Sequence, residues 1–340
     1  MTTLKRTLMS ALAALTLGAA VNATAQEDEV IKRSFCVFDP VGANGPLFEL
    51  MQSARPMALE RGVELDMRAY TSEKIAAEEF RNGQCDSVLL TGTMARDFNR
   101  FTGSLEAMGA IPGEEEMRML MQVLSQDNAR QYLQTDKYEV VGVLPAGAVY
   151  LFLDDRAIDT VEDLQGKRIA TLDHDKASIT MVRHVGASVV GSSTSNFSGR
   201  FNNGSVDAAY APAVAYEPLE LYKGLANNGG IIRTPMIQLT FQMVIRHKRF
   251  PDGFGQKVRE LAHSKMGYAM QYVHMTEKKI PEKHWVELPL REVAGMAEIM
   301  RQSRIKLRDE GVYDGMMLSI MRKIRCQRDP RHFECVDKLE

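Results

Sequence analysis

Tryptophan occurs once in these 340 residues and cysteine only four times. So few cysteines exclude a disulfide-dense small scaffold, and no Cys-x-x-Cys pair is present to exchange thiols or seat zinc. Also missing are a Gly-x-Ser-x-Gly elbow, a His-Glu-x-x-His helix and a Gly-rich phosphate loop ending in Lys-Ser/Thr. No heptad pattern is sustained long enough for a coiled coil. Charge is nearly balanced, with 42 basic against 44 acidic residues, which argues against a polyanion binder and so against nucleic acid as a partner. Past the N-terminal leader, no apolar run is long enough to span a bilayer.

What is present begins with that leader. Lys5 and Arg6 precede an apolar stretch from Leu8 to Val21 and the small-x-small ending Ala23-Thr24-Ala25. This is the pattern of a secretory signal peptide covering residues 1–25, and it predicts an exported, periplasmic chain. Its removal takes away two positive charges and moves the formal charge from -2 to -4. In an oxidising compartment, four cysteines suggest two disulfides, with three possible pairings. Cys36 lies in the first expected strand and Cys85 at the foot of the third, while Cys326 and Cys335 close a short tail loop. The favoured pairs are therefore Cys36–Cys85 and Cys326–Cys335.

The chain repeats a phrase. Phe80-Arg81-Asn82-Gly83-Gln84-Cys85-Asp86 leads into Ser87-Val88-Leu89-Leu90-Thr91, and Phe201-Asn202-Asn203-Gly204-Ser205-Val206-Asp207 leads into Ala208-Ala209-Tyr210-Ala211-Pro212. Each copy reads as a helix end, a glycine stop and a short strand buried on both faces. The surrounding order of strands and helices gives two parallel α/β units. Strands are expected over Ser34–Phe38, Glu64–Tyr70, Lys167–Leu172 and Gln238–Ile245. Two more, Tyr138–Leu144 and Ala148–Leu153, are expected on either side of a break at Pro145-Ala146-Gly147. Pro56 must kink or split the first helix, and Ser72 and Thr160 are expected helix caps. Strand crossings near Pro145 and Gln238 suit a hinge between lobes.

The segment Thr160-Val161-Glu162-Asp163-Leu164-Gln165-Gly166-Lys167-Arg168-Ile169-Ala170 resembles the "eDLkGkkI" passage of bacterial periplasmic solute-binding proteins. With Asn203-Gly204-Ser205-Val206-Asp207, Pro212 and the helical tail, the chain is similar to the receptors of TRAP transporters. It is nearest to a divergent branch of solute-binding proteins, some labelled efflux-associated. The resemblance implies a periplasmic binding protein-like α/β fold. Lobe 1 would be 26–146 plus 241–285 and lobe 2 147–240, with a helical region, 286–340, packed across both. It implies a receptor that buries a small polar or anionic solute and delivers it to TRAP-type permease subunits, with no cofactor and no catalysis. One departure matters: the arginine that typically clamps a ligand carboxylate falls here at Ala170, with Arg168 two residues earlier. Lys176, Arg183 and Arg233 are the other cations nearby.

Strand ends and helix starts should line the cleft. This nominates Asn44, Tyr70, Thr91 and Thr93 from the first half, and Thr171, Asp173, His174, Tyr210 and Gln238 from the second. Asn44, Thr93 and Asp173 also suit plain helix capping, and Tyr210 suits a core aromatic. Arg96 can pair with Asp97 or Glu106. Asp173-His174-Asp175 is a poor metal site, since adjacent residues seldom converge on one ion. The many methionines read as core filler. The basic residues from Arg301 to Arg328 read as a solvated helix face. A periplasmic enzyme and an envelope adaptor are the alternative functions.

Overall fold

Strand β1, Ile31–Phe38, is polar where it starts and fully buried from Phe35 to Phe38, the pattern of a parallel strand covered on both faces. The computed structural model describes residues 30–340; the expected signal peptide lies outside these. β2 (Val63–Tyr70) and β3 (Ser87–Thr91) pair parallel with β1 on either side. β5 (Arg168–Leu172) lies between β6 (Ser188–Ser192) and β7 (Ala208–Pro212), again parallel. Two long antiparallel strands, β4 (Glu139–Leu153) and β8 (Gly230–Ile245), join the halves. The sheet order is β2-β1-β3-β8-β4-β7-β5-β6, with β9 (Trp285–Val286) paired to β8.

The repeated phrase builds the same joint twice. Gly83 and Gly204 take φ of +82° and +73° immediately past their helices, a region where glycine carries no Cβ penalty. Asp86 then accepts the Ser34 amide at 3.0 Å, and Asp207 accepts the Arg168 amide at 2.7 Å. Each aspartate thus pins the strand it opens to the first strand of its own half.

Several expectations are corrected. The strands expected over Tyr138–Leu144 and Ala148–Leu153 are one continuous β4. Pro145 and Gly147 do not break it, because a register shift absorbs them and Gly147 supplies φ +93°. β8 also starts earlier than Gln238. Proline does split the first helix, into Pro46–Ser53 and Arg55–Leu59, and Ser72 and Thr160 cap as expected. The disulfides are Cys36–Cys85 and Cys326–Cys335.

The methionines pack into apolar clusters, among them one of Met108, Met181, Met236, Met296 and Met300. The basic helices are not simply solvated: Arg301, Arg304, Arg322 and Arg325 are buried. Arg304 pairs with Glu340 at 2.6 Å, and Arg325 pairs with Glu334 at 2.7 Å and Glu340 at 2.8 Å. The tail folds over Leu290–Asp309 and Gly315–Arg328, and its carboxylates neutralise what the exposed-face pattern suggested was left to water. Among the described residues no helix is long and apolar enough to cross a membrane.

Candidate ligand cavity between the sheet halves

A cavity of about 540 Å³ opens at the carboxyl ends of β1, β3, β5 and β7, a volume suited to a small organic ligand. Its position follows from topology: strand ends and helix starts from both halves converge where β4 and β8 cross between them. The wall is mainly apolar, built from Leu144, Pro145, Ala146, Ile237, Leu239 and Phe241 of the two long strands. Helix Met266–Glu277 adds Tyr268 and Tyr272.

Four of the nine candidate residues line it: Thr91, Thr93, Thr171 and Tyr210. Thr91 ends β3 and caps the next turn, accepting the Met94 amide at 3.3 Å. The Thr93 amide and hydroxyl both donate to Glu106 at 2.7 Å, so Thr93 is a donor here and not a cap. Thr171 is buried on β5, and its hydroxyl has no hydrogen-bond partner. Burial pushes the Tyr210 hydroxyl upward, with Asp175 adding to the shift.

The other five lie outside the lining. Asn44 is exposed and makes no cap; Asp39 takes that task, accepting the amides of Val41, Leu47 and Phe48 at 2.8, 2.8 and 3.0 Å. Tyr70 ends β2, the edge strand, beside Phe38 of β1, which lines the cavity in its place. Asp173 and His174 are exposed beside the helix Lys176–His184, whose cap is Asp175. Gln238 sits between Ile237 and Leu239, which line the cavity, so the alternation of side chains along β8 turns it to the opposite face.

Besides Asp39, sequence reasoning missed three more buried acids in the wall. Glu73 begins the helix Glu73–Arg81, is fully buried, and accepts the Thr91 amide on Oε1 at 2.6 Å. Its Oε2 has no partner. Burial pushes its carboxyl from 4.5 to about 7, with the Thr91 donors pulling down and Glu106 pushing further up. Glu106 accepts five donors: the amides of Gly92, Thr93 and Thr240 and the hydroxyls of Thr93 and Thr240. Its carboxyl is also pushed up by burial, against the pull of those threonines and of Arg96. Asp175 accepts the Ala177 and Ser178 amides and faces Arg96 at 3.6 Å. Arg96 therefore pairs across the cleft with Asp175, not with Asp97 or Glu106, and stacks on Tyr313 at 5.0 Å. A first-turn acid is a weak signal, since such residues commonly serve only the helix dipole.

Ala170 lines the cavity, whereas Arg168 is turned outward onto Asp207 at 2.5 Å. The guanidinium two residues away is thus spent at the foot of β5. Among the described residues, no group of three His, Cys, Asp or Glu is arranged to hold a metal ion.

Comparison with known proteins agrees with this architecture. The TRAP periplasmic solute-binding protein of Desulfovibrio salexigens, solved with bound orotic acid, superposes with a TM-score of 0.73 at 13% identity, covering 87% of this chain and 99% of that one. The corresponding protein of a Sulfitobacter species, with bound β-D-galacturonate, gives 0.70 at 14% identity over 86% and 100%. In sequence, the probable solute-binding protein AdeT1 of Acinetobacter baumannii is 36% identical over 299 residues, 88% of this chain and 98% of the relative. AdeT2 of the same organism is 28% identical over 233 residues, 68% and 98%. The profile of the family described as "Solute-binding protein AdeT 1/2" matches residues 51–340. The chain belongs to the AdeT 1/2 family of solute-binding proteins, on the fold of the TRAP periplasmic receptors.

Proposed function

We propose that the chain is a periplasmic receptor that binds without turnover and hands its solute to the permease subunits of a TRAP-type transporter. Residues 26–146 with 241–285 act as one lobe and 147–240 as the other, and 286–340 pack across both. The lobes close over the solute by bending β4 and β8. One observation carries this reading: a largely apolar cavity of about 540 Å³ bounded by strand ends from both halves. Thr91 and Thr93 from one lobe and Thr171 and Tyr210 from the other provide its polar contacts. The register shifts at Pro145/Gly147 and Val149/Leu151 supply bending points between them. The solved neighbours hold small organic acids, and the shared fold supports a solute of similar size here.

Native mass spectrometry of the mature protein taken from periplasm tests the proposal. A small molecule that stays bound under gentle conditions and leaves unaltered on denaturation is the expected result. A purified protein that is empty, and that no small molecule stabilises, would refute it.

A further inference from the structure

Among the described residues, five acids line the cavity, Asp39, Glu49, Glu73, Glu106 and Asp175, and no lysine, arginine or histidine does. Most of these acids are committed. Asp39 holds three amides of the β1 loop and the following helix. Asp175 holds its own helix start, the Ser178 hydroxyl and Arg96. Glu106 is saturated by five donors, and Glu49 is exposed. Glu73 differs. It is fully buried in the wall, one oxygen takes the Thr91 amide, and the other takes nothing.

From the facing half, the Thr171 hydroxyl is likewise buried without a partner. A buried polar atom left unmatched is costly because it has given up water for nothing, so both atoms favour a ligand that satisfies them. The same cavity is lined by aromatic side chains, Phe38, Phe197, Tyr210, Phe241, Tyr268 and Tyr272, and aromatic faces attract a cation and reject an anion. The place where a carboxylate-clamping guanidinium could stand is Ala170.

We propose that the solute is a protonated amine carried on an apolar body. It donates an N–H to the free Oε2 of Glu73 and a second hydrogen bond to the Thr171 hydroxyl, with the apolar body against the aromatic wall. This rests on the receptor function proposed above and narrows its ligand. A carboxylate in the same place would face the carboxyls of Glu73 and Glu106, and Arg96, the cation that pulls on Glu106, is already paired with Asp175. An ammonium turns the orphaned acid into an ion pair shielded from water, where the pairing is strongest. The two unmatched atoms come from opposite halves, so one amine bridging them would hold the lobes together.

The test uses extensively dialysed full-length mature protein and matched probes: phenethylamine, cyclohexylamine and tyramine against phenylacetate, cyclohexanecarboxylate and 4-hydroxyphenylacetate. Affinities are read by calorimetry for the wild type and for Glu73→Gln, which keeps an acceptor for the Thr91 amide. At least one amine should bind the wild type, at least tenfold more weakly to E73Q, and no carboxylate should bind the wild type. Carboxylates binding while amines do not would overturn the amine assignment and leave the receptor reading standing. Equal amine affinity for wild type and E73Q would overturn the role of Glu73. Should no probe bind, the molecule released in native mass spectrometry decides. A basic nitrogen in it supports the proposal, its absence overturns the proposal alone, and an empty protein sinks both readings.

Discussion

Replacing Glu73 by glutamine should make the protein more stable, and increasingly so as pH rises. The side chain is fully buried, and its carboxyl is pushed from 4.5 to about 7, chiefly by loss of water. Below pH 4.5 the carboxyl is protonated in both folded and unfolded chains, and its burial carries no penalty of ionisation. As pH rises above 4.5 the unfolded chain releases the proton while the folded chain still holds it, so folding is progressively disfavoured. Beyond about pH 7 the folded carboxyl ionises too, and the penalty stops growing. A displacement of that size corresponds to about 3 kcal/mol at 1.36 kcal/mol per pKa unit, a substantial share of the 5–15 kcal/mol typical of a domain. Glutamine cannot titrate and can still accept the Thr91 amide now bound at 2.6 Å. Denaturant unfolding of both proteins at pH 4.5, 5.5, 6.5 and 8, with disulfides intact, gives the difference, because the other titrating groups are common to both. Only Glu106 is coupled to Glu73, as the smallest of the causes acting on it. The gap should widen by about 3 kcal/mol in favour of glutamine across that window. A gap independent of pH would refute the assignment of a raised carboxyl to Glu73.

Three further outcomes are expected. The double variant Cys36→Ser/Cys85→Ser opens a loop whose ends are 49 residues apart, and Cys326→Ser/Cys335→Ser one whose ends are 9 apart. Loop-closure entropy then assigns losses of about 4 and about 3 kcal/mol; equal unfolding midpoints for wild type and both variants would contradict this. Ala170→Arg puts a guanidinium into the cavity wall, and titration calorimetry should detect a new affinity for small carboxylates such as phenylacetate; continued indifference would mean that the side chain does not reach the ligand. Arg325→Met removes one of the two arginines, with Arg304, that pair with both buried acids Glu334 and Glu340, and should lower unfolding free energy by about 3 kcal/mol, whereas a loss below about 1 kcal/mol would indicate that water reaches the tail.

What could be read from sequence was what depends on neighbours along the chain. Asn82-Gly83 and Asn203-Gly204 mark helix ends because the positive φ past a helix is a local demand, and the strands after them are bounded by the same few residues. The cysteines could be paired because strand order places Cys36 beside the foot of β3. Errors arose where a shift of one or two residues changes the outcome. Asp175 caps a helix that Asp173 also suits, and one step along β8 moves a side chain from cavity to opposite face, which removes Gln238 and admits Leu239. Glu106 and Glu73 could not be read as cavity acids, since their partners Thr240 and Thr91 lie 134 and 18 residues away. The arginines of the C-terminal helices fit a surface pattern until a tail from 334 to 340 covers them.

Glu106 has a mechanical consequence for any motion of the two halves. Its carboxylate grips the turn Gly92-Thr93 at one end and Thr240 of β8 at the other. Like a rivet, it fixes the root of β8 from Thr240 to Ile245 to β3 and to the turn after it. Flexure is thereby confined to the part of β8 before Thr240, opposite Gly147 and Val149 of β4. Ile237 and Leu239, which face the cavity, lie on this compliant segment. Whatever fills the cavity therefore touches both the spring, at Ile237 and Leu239, and its mount, at Phe241.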